Sequence, residues 1–83
     1  MDKKFSLEHQ YQLYLKRINI TEAEMHPAQR KETKQAFFGA IGQILLVLRD
    51  DMYHCTEDEA VQIMESMINE VAQHFVDITT NKN

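Results

Sequence analysis

Basic residues gather on both sides of a short connecting segment in the first half of the chain. Five of the nine lysines and arginines lie there: Lys16, Arg17, Arg30, Lys31 and Lys34. Pro27 suits the first position of a helix, because the N–H that it lacks would have no helical partner. A helix N-terminus with free N–H groups and nearby arginine can bind an anion. The basic cluster, which comprises Arg17, Arg30, Lys31 and Lys34, is therefore the candidate site for an anionic ligand such as a nucleotide messenger or RNA.

The basic cluster can also be a solvated face. Three nearby carboxylates could balance its charge: Glu22, Glu24 and Glu32. Within a helix, Arg30 and Lys34 share a face, whereas Lys31 is turned by about 100° from Arg30. Arg30 and Lys34 are therefore the stronger pair for a ligand.

The segment RDDMYHCTEDE, residues 49–59, concentrates carboxylates beside His54 and Cys55. Their spacing matches no metal-ligand pattern of a helix or a loop. Cys55 is the only cysteine, so one chain can form neither an internal disulfide nor a thiolate metal cluster. The sequence has no glycine-rich phosphate loop, no serine with a nearby base pattern and no carboxylate pair with a reason to be buried. We expect no metal, no cofactor and no enzymatic activity.

The apolar run QAFFGAIGQILLVL, residues 35–48, points to association between copies. One broad helical face would supply the core within the chain: Phe37, Ile41, Ile44, Leu45 and Leu48. The other side has a regular spacing of three and four residues, small in its middle, which lets two backbones approach closely. It comprises Gln29, Glu32, Ala36, Gly39, Gln43, Leu46 and Asp50.

Glycine inside a helix costs roughly 1 kcal/mol relative to alanine, so Gly39 and Gly42 need a reason in packing or in ligand approach. We expect an interface between copies at the association stripe, which comprises Ala36, Phe38, Gly39, Gly42, Gln43 and Leu46. On a two-fold axis, Gln43 could meet its own copy and determine the register. Alternatively, Gln43 lies in water at the edge of a groove.

Capping signals and apolar periodicity predict an all-α bundle of three main helices and one short turn. The helices span about residues 7–18, 27–53 and 57–78. Ser6 caps the first helix, Pro27 begins the second, and Thr56–Glu59 forms a capping box for the third. A second capping box, Thr21–Glu24, can begin only one turn because Pro27 follows closely. The tail, residues 79–83, should fray.

The last predicted helix carries its apolar side chains within an arc of about 120°. They are Ala60, Val61, Met64, Met67, Ile68, Val71, Ala72, Phe75 and Ile78. We expect this face to pack against the middle helix. Met64 and Met67 then fill the core, although methionines also occur in adaptable binding grooves.

Length and composition predict one domain, residues 1–83, with 43% hydrophobic and 27% charged residues. A chain of this size buries only roughly 60% of its unfolded surface, so self-association would complete the bundle.

The formal charge of −4 argues against a general DNA-coating role. The start lacks the apolar segment of a signal peptide, and no apolar run reaches the ~20 residues of a membrane helix. We expect a soluble, cytoplasmic protein with no membrane partner.

The segment MHPAQRKETKQAFFGAIGQILLVLRDD, residues 25–51, resembles short uncharacterised helical proteins of bacterial phages and prophages. The shared features are a His-Pro-x-Gln-Arg-Lys-Glu opening, an apolar middle with glycines and a Leu-Arg-Asp end. The resemblance covers about a third of the chain and implies a binding function, either sequestering a host factor or holding a small signalling molecule. The first hypothesis is a homo-oligomeric module, an accessory or anti-defence protein that binds a host protein. The alternative is an anion binder at the basic cluster.

Overall fold

The computed structural model describes residues 2–80 of the chain. Within that range it contains three α-helices, short 3₁₀ and π-helical segments, and no strand, which confirms the predicted all-α class. The α-helices are α1 (Leu7–Arg17), α2 (Pro27–Leu46) and α3 (Glu57–Thr80). The residues up to Leu46 and those from Val47 onward form two compact units, each described below by itself.

The ends of α1 follow local capping rules. The Ser6 hydroxyl accepts a hydrogen bond from the His9 N–H at 3.3 Å, as the sequence predicted. At the other end, Asn19 takes a left-handed conformation with φ of 62°. The Asn19 N–H donates to the Lys16 carbonyl and the Ile20 N–H to the Leu15 carbonyl, which is a Schellman motif. The chain therefore leaves α1 with its last carbonyls satisfied.

The connection between α1 and α2 contains one 3₁₀ turn, Glu22–Glu24, which confirms the prediction of a single turn. The capping box predicted there does not form. The Thr21 hydroxyl donates to the Glu24 carboxylate at 2.8 Å, and no side chain caps the backbone of the turn. The two side chains therefore bond to each other instead of to the backbone.

The α2 helix begins at Pro27 as predicted, but its α-helical part ends at Leu46 rather than near residue 53. A π-helical turn, Val47–Asp51, and a 3₁₀ turn, Met52–His54, follow. In a π turn each backbone N–H donates to the carbonyl five residues before it, instead of four as in an α turn, so the donors stay bonded. No proline or glycine is therefore needed to leave the α-helix at this point, and the sequence carries no signal of the change.

The α3 helix begins with the predicted capping box. The Thr56 N–H donates to the Glu59 carboxylate at 2.9 Å, and the Glu59 N–H donates to the Thr56 hydroxyl at 3.2 Å. Thr79 and Thr80 belong to α3 rather than to a frayed tail, and residues 81–83 lie outside the described range. The packing of α3 against α2 and the assignment of one domain stay predictions.

The core of the first unit is small. Tyr11, Leu15 and Met25 are its buried residues, and Ile20, Phe37 and Phe38 pack against them as half-buried side chains. The Tyr11 and Phe37 ring centroids are 5.2 Å apart, and Tyr11 and Phe38 are 6.2 Å apart. Of the other residues that the sequence assigned to the core face of the second helix, Ile41 is partly buried, whereas Ile44 and Leu45 are exposed within this structure.

Candidate functional site

Arg30, the first residue of the predicted anion-binding pair, already donates hydrogen bonds to backbone carbonyls of its own unit. Its Nε donates to the Glu22 carbonyl at 3.1 Å, and a terminal nitrogen lies 3.5 Å from the Met25 carbonyl. The first contact has good hydrogen-bond geometry, whereas the second is at the limit. Arg30 therefore ties the first turn of α2 to the preceding 3₁₀ turn.

Lys34 is occupied as well. Its Nζ lies 3.0 Å from a carboxylate oxygen of Glu8 and sits over the rings of Tyr11 and Phe38, at 5.6 Å and 6.0 Å from their centroids. The hydrogen bond from Lys34 lowers the pKa of Glu8, and the same bond raises the pKa of Lys34. Lys34 thus joins α2 to α1 by charge and by cation–π contact.

The N-terminus of α2 is partly satisfied by His26. The His26 Nδ1 accepts the Ala28 N–H at 3.2 Å, and the His26 carbonyl accepts the Arg30 N–H at 2.9 Å. An anion at this end of α2 would have to compete with the imidazole for a backbone donor. The local geometry resembles a capped helix end more than an open anion site.

The other two members of the basic cluster, Arg17 and Lys31, are exposed and make no ion pair within the described residues. They border different grooves. Arg17 lies beside Leu13 and Tyr14 of α1, whereas Lys31 lies beside Lys34. The structure therefore brings Lys31 and Lys34 to one groove and places Arg17 at another.

The association stripe lies on the side of α2 that α1 leaves open. Ala36, Gly39, Gln43 and Leu46 are exposed, and Gly42 is partly exposed. Within the described residues, a Cβ added at Gly39 or Gly42 would meet no atom within 4 Å, apart from the immediate backbone of the helix. Packing inside this unit therefore gives no reason for either glycine.

Phe38 is the one member of the association stripe that the core of the first unit uses. Its ring lies 6.2 Å from that of Tyr11 and 5.9 Å from that of Phe37, and the side chain is half-buried. The Phe37 ring also packs on Tyr14 at 5.3 Å. The two aromatic residues therefore anchor α2 to α1, and the small residues of the stripe face away from that contact.

The sequence pattern gave no indication that the Tyr11 hydroxyl would be buried without a hydrogen-bond partner within the described residues. The Tyr11 side chain is fully buried, and its hydroxyl has no hydrogen-bond partner within the described residues. Burial raises the pKa of the Tyr11 phenol, because the charged form is disfavoured away from water. The side chains that pack with Tyr11 come from α1, the connecting segment and α2.

The acidic segment at residues 49–59 serves local structure. Arg49 donates to both Asp50 oxygens at 2.6 Å and 2.9 Å, and this hydrogen bonding lowers the pKa of Asp50. No group of three or more potential ligands in residues 2–80 is placed to hold a metal ion. In the same range, no helix has the length and apolarity to cross a membrane.

In comparisons with known proteins, no family model, curated protein or solved structure matches the chain.

Proposed function

We propose that the chain is a non-enzymatic helical binding module that associates with itself through the association stripe. The resulting oligomer presents its charged surfaces to a protein partner. The resemblance to phage and prophage proteins makes a host protein the expected class of partner, in an accessory or anti-defence role.

The open surroundings of Gly39 and Gly42 are the observation that carries this proposal. Each glycine costs a helix interior roughly 1 kcal/mol relative to alanine. Since an added Cβ would meet no neighbour within 4 Å, alanine would fit at both positions in the isolated unit. A second backbone approaching this side of α2 supplies the missing reason, because only glycine permits the closest approach.

The basic cluster supports the alternative of anion binding less well. Arg30 bonds to backbone carbonyls and Lys34 pairs with Glu8, so both cations already have partners. An anionic ligand would have to break these contacts or rely on Arg17 and Lys31, which border different grooves.

The proposal is tested by measuring the oligomeric state at micromolar concentration by sedimentation velocity. Gly39→Leu should convert the oligomer to monomer, because its side chain would separate the two backbones. Ser66→Leu is the matched control, since it adds the same side chain to an exposed position of α3. A folded monomer in the native protein would overturn the proposal.

The same samples separate the alternative function. An apolar interface should persist at high salt, whereas a phosphate site should weaken. Nucleotide titration that shows tight, salt-sensitive binding, lost in Arg30→Ala/Lys34→Ala, would favour the anion binder instead.

A further inference from the structure

The α3 helix has a line of apolar side chains that the structure leaves open. Six of them are between 48% and 62% exposed: Val61, Met64, Ile68, Val71, Phe75 and Ile78. The intervals between them along the sequence are three, four, three, four and three residues. This alternation is the 3.5-residue repeat of a coiled coil, which keeps every side chain of the line against one neighbouring helix. The six residues are called here the α3 seam.

The other large apolar side chains of α3 lie outside the α3 seam. Ile63 and Met67 are half-buried, and helical spacing places them on one side of the seam. Val76 is 51% exposed and lies on the other side. The open line is therefore narrow, spanning about 100° of the helix, which is the width of a contact with a single helix rather than of a broad core face.

The length of the α3 seam identifies the helix that matches it. The seam runs for about 26 Å from Val61 to Ile78, at 1.5 Å per residue. In the first unit, α1 has 11 residues and is about 16 Å long. The α2 helix is polar over residues 29–35, so its apolar α-helical part, residues 36–46, is also about 16 Å long. Within the described residues, only α3 itself has an apolar line of the required length.

The charges of α3 permit pairing with another α3. The helix contains six acidic residues and no lysine or arginine: Glu57, Asp58, Glu59, Glu65, Glu70 and Asp77. After the first turn, only Glu65 lies beside the seam, because helical spacing turns Glu70 and Asp77 to the opposite side of the helix. The other edge of the seam holds no carboxylate; its residues are Ala60, Met67 and His74.

The acidic first turn determines the orientation of such a pair. Glu57 is in line with the seam, and Asp58 and Glu59 follow it. In a parallel pair the two first turns would lie side by side, so carboxylates would face carboxylates. In an antiparallel pair each first turn lies beside the last turn of the other helix, where the helix dipole has the opposite sign. Charge therefore favours the antiparallel pair.

We propose that α3 pairs antiparallel with α3 of a second copy along the α3 seam. At the two-fold axis, Ile68 of each copy packs on Val71 of the other. The next layers on either side pair Met64 with Phe75 and Val61 with Ile78. Glu65 then lies near Ala72 of the other copy and meets no like charge. The occupant is a second copy because α3 matches the seam in length, in repeat and in charge.

Charge placed in the middle of the seam tests this pairing by sedimentation velocity. Ile68→Glu/Val71→Glu should associate at least about tenfold more weakly than the native protein, because it brings carboxylates of both copies together at the axis. Both positions are more than half exposed, so the charges remove little packing within the unit. The matched control, Ser66→Glu/Asn69→Glu, has the same spacing on the opposite side of α3 and should associate as the native protein does.

Complementation tests whether the occupant is α3 of a second copy. Ile68→Lys/Val71→Lys should also associate weakly alone, whereas its equimolar mixture with the Glu variant should recover association, since each Lys then faces a Glu. Recovery also shows that both variants are folded, because an unfolded chain cannot restore its partner. A mixture that stays as weak as its components would mean that the seam contacts some other surface, in its own chain or in a different protein, and would overturn the proposal. Native-like association of the Glu variant would overturn it as well.

The orientation is tested with cysteines in a Cys55→Ser background, because Cys55 is the only thiol of the chain. Val61→Cys and Ile78→Cys chains, mixed and oxidised with diamide, should form a disulfide with each other, since the two positions share a layer of the antiparallel pair. Mass spectrometry distinguishes this mixed dimer from dimers of one variant. Efficient linking of Val61→Cys to itself would show a parallel pair and overturn the proposed arrangement.

This inference rests on the proposed self-association but uses different residues from the association stripe, so the two can fail separately. If Gly39→Leu abolishes association and Ile68→Glu/Val71→Glu leaves it unchanged, the stripe is the interface and the pairing of α3 is wrong. If the α3 variant loses association and Gly39→Leu retains it, the pairing of α3 stands without the stripe.

Discussion

Replacing Tyr11 by phenylalanine should stabilise the protein. The hydroxyl is buried and has no hydrogen-bond partner within residues 2–80, so folding removes its water contacts without replacement. Phenylalanine keeps the ring that packs on Phe37 at 5.2 Å and Phe38 at 6.2 Å. The substitution therefore removes a cost and retains the packing.

The size of the gain follows from the cost of an unpaired hydroxyl. Leaving a buried polar group unsatisfied costs about 1–3 kcal/mol. Taking the lower end of this range, we expect Tyr11→Phe to raise the free energy of unfolding by about 1 kcal/mol. In a chain of this length, a gain of that size raises the melting temperature by about 4–8 °C. Thermal and urea unfolding followed by circular dichroism at constant protein concentration would measure both quantities, since self-association also shifts the apparent stability.

The pKa of Tyr11 supplies a second readout. Burial raises it above 10.0, so the unfolded chain releases this proton at lower pH than the folded chain does. The ionisation of Tyr11 leaves the stability unchanged below pH 10.0 and lowers it as the pH rises through the raised value, because the folded state disfavours the charged phenolate. Tyr11→Phe should therefore lose less stability than the native protein in this alkaline range.

Tyr14→Phe is the control, because the Tyr14 side chain also packs on Phe37 but is 38% exposed, so its hydroxyl deletion should change stability by less than about 0.5 kcal/mol. Destabilisation of Tyr11→Phe by about 1 kcal/mol or more, with Tyr14→Phe unchanged, would refute the reasoning, because it would show that the hydroxyl makes a favourable hydrogen bond.

Two further predictions concern charged side chains. Hydrogen bonds from Thr56 lower the pKa of Glu59 below 4.5. The stability that this cap adds is therefore present above pH 4.5 and is lost as the pH falls through the lowered pKa. Glu59→Gln should weaken the start of α3 and make its stability less sensitive to acid. Helical content between pH 5 and pH 2 would show it, with the exposed Glu65→Gln as control; equal acid profiles for Glu59→Gln and the native protein would contradict it. Lys34→Met should lower the stability of the first unit at low salt, because it removes the pairing with Glu8 and the contact over the aromatic rings. Urea unfolding of Lys34→Met and Lys31→Met should differ, and an equal effect of the two would show that the Lys34 contacts contribute nothing.

The helix beginnings could be predicted from the sequence because they depend on neighbours within four residues. Ser6 bonds to the His9 N–H, Pro27 has a dihedral angle suited to a first turn, and Thr56 with Glu59 satisfies two backbone donors. These interactions form whatever else the chain contacts. The all-α class follows from the same local signals and from apolar residues at helical spacing.

The end of α2 could not be predicted in the same way. The turn Val47–Asp51 is π-helical although its residues contain neither proline nor glycine. The difference between an α and a π turn is a shift of each backbone hydrogen bond by one residue, which side-chain periodicity over five residues cannot resolve.

The candidate site could also be predicted only in part. Residue types and spacing placed Gly39 and Gly42 on one side of a helix, and helical geometry alone is enough for that. Whether an intrachain neighbour occupies that side depends on where α1 packs, and α1 packs on Phe37 and Phe38 instead. The small-residue stripe is therefore a property of the sequence, whereas its openness is a property of the folded unit.

Only the tertiary structure decided what the basic residues contact. Arg30 and Lys34 have the same charge and share a helix face in the sequence pattern, yet one reaches backbone carbonyls and the other pairs with Glu8. Long cationic side chains select partners from whatever the fold brings within their reach, and Glu8 lies 26 residues before Lys34 in the sequence. The burial of Tyr11 has the same origin, because the side chains that pack with it come from α1, the connecting segment and α2.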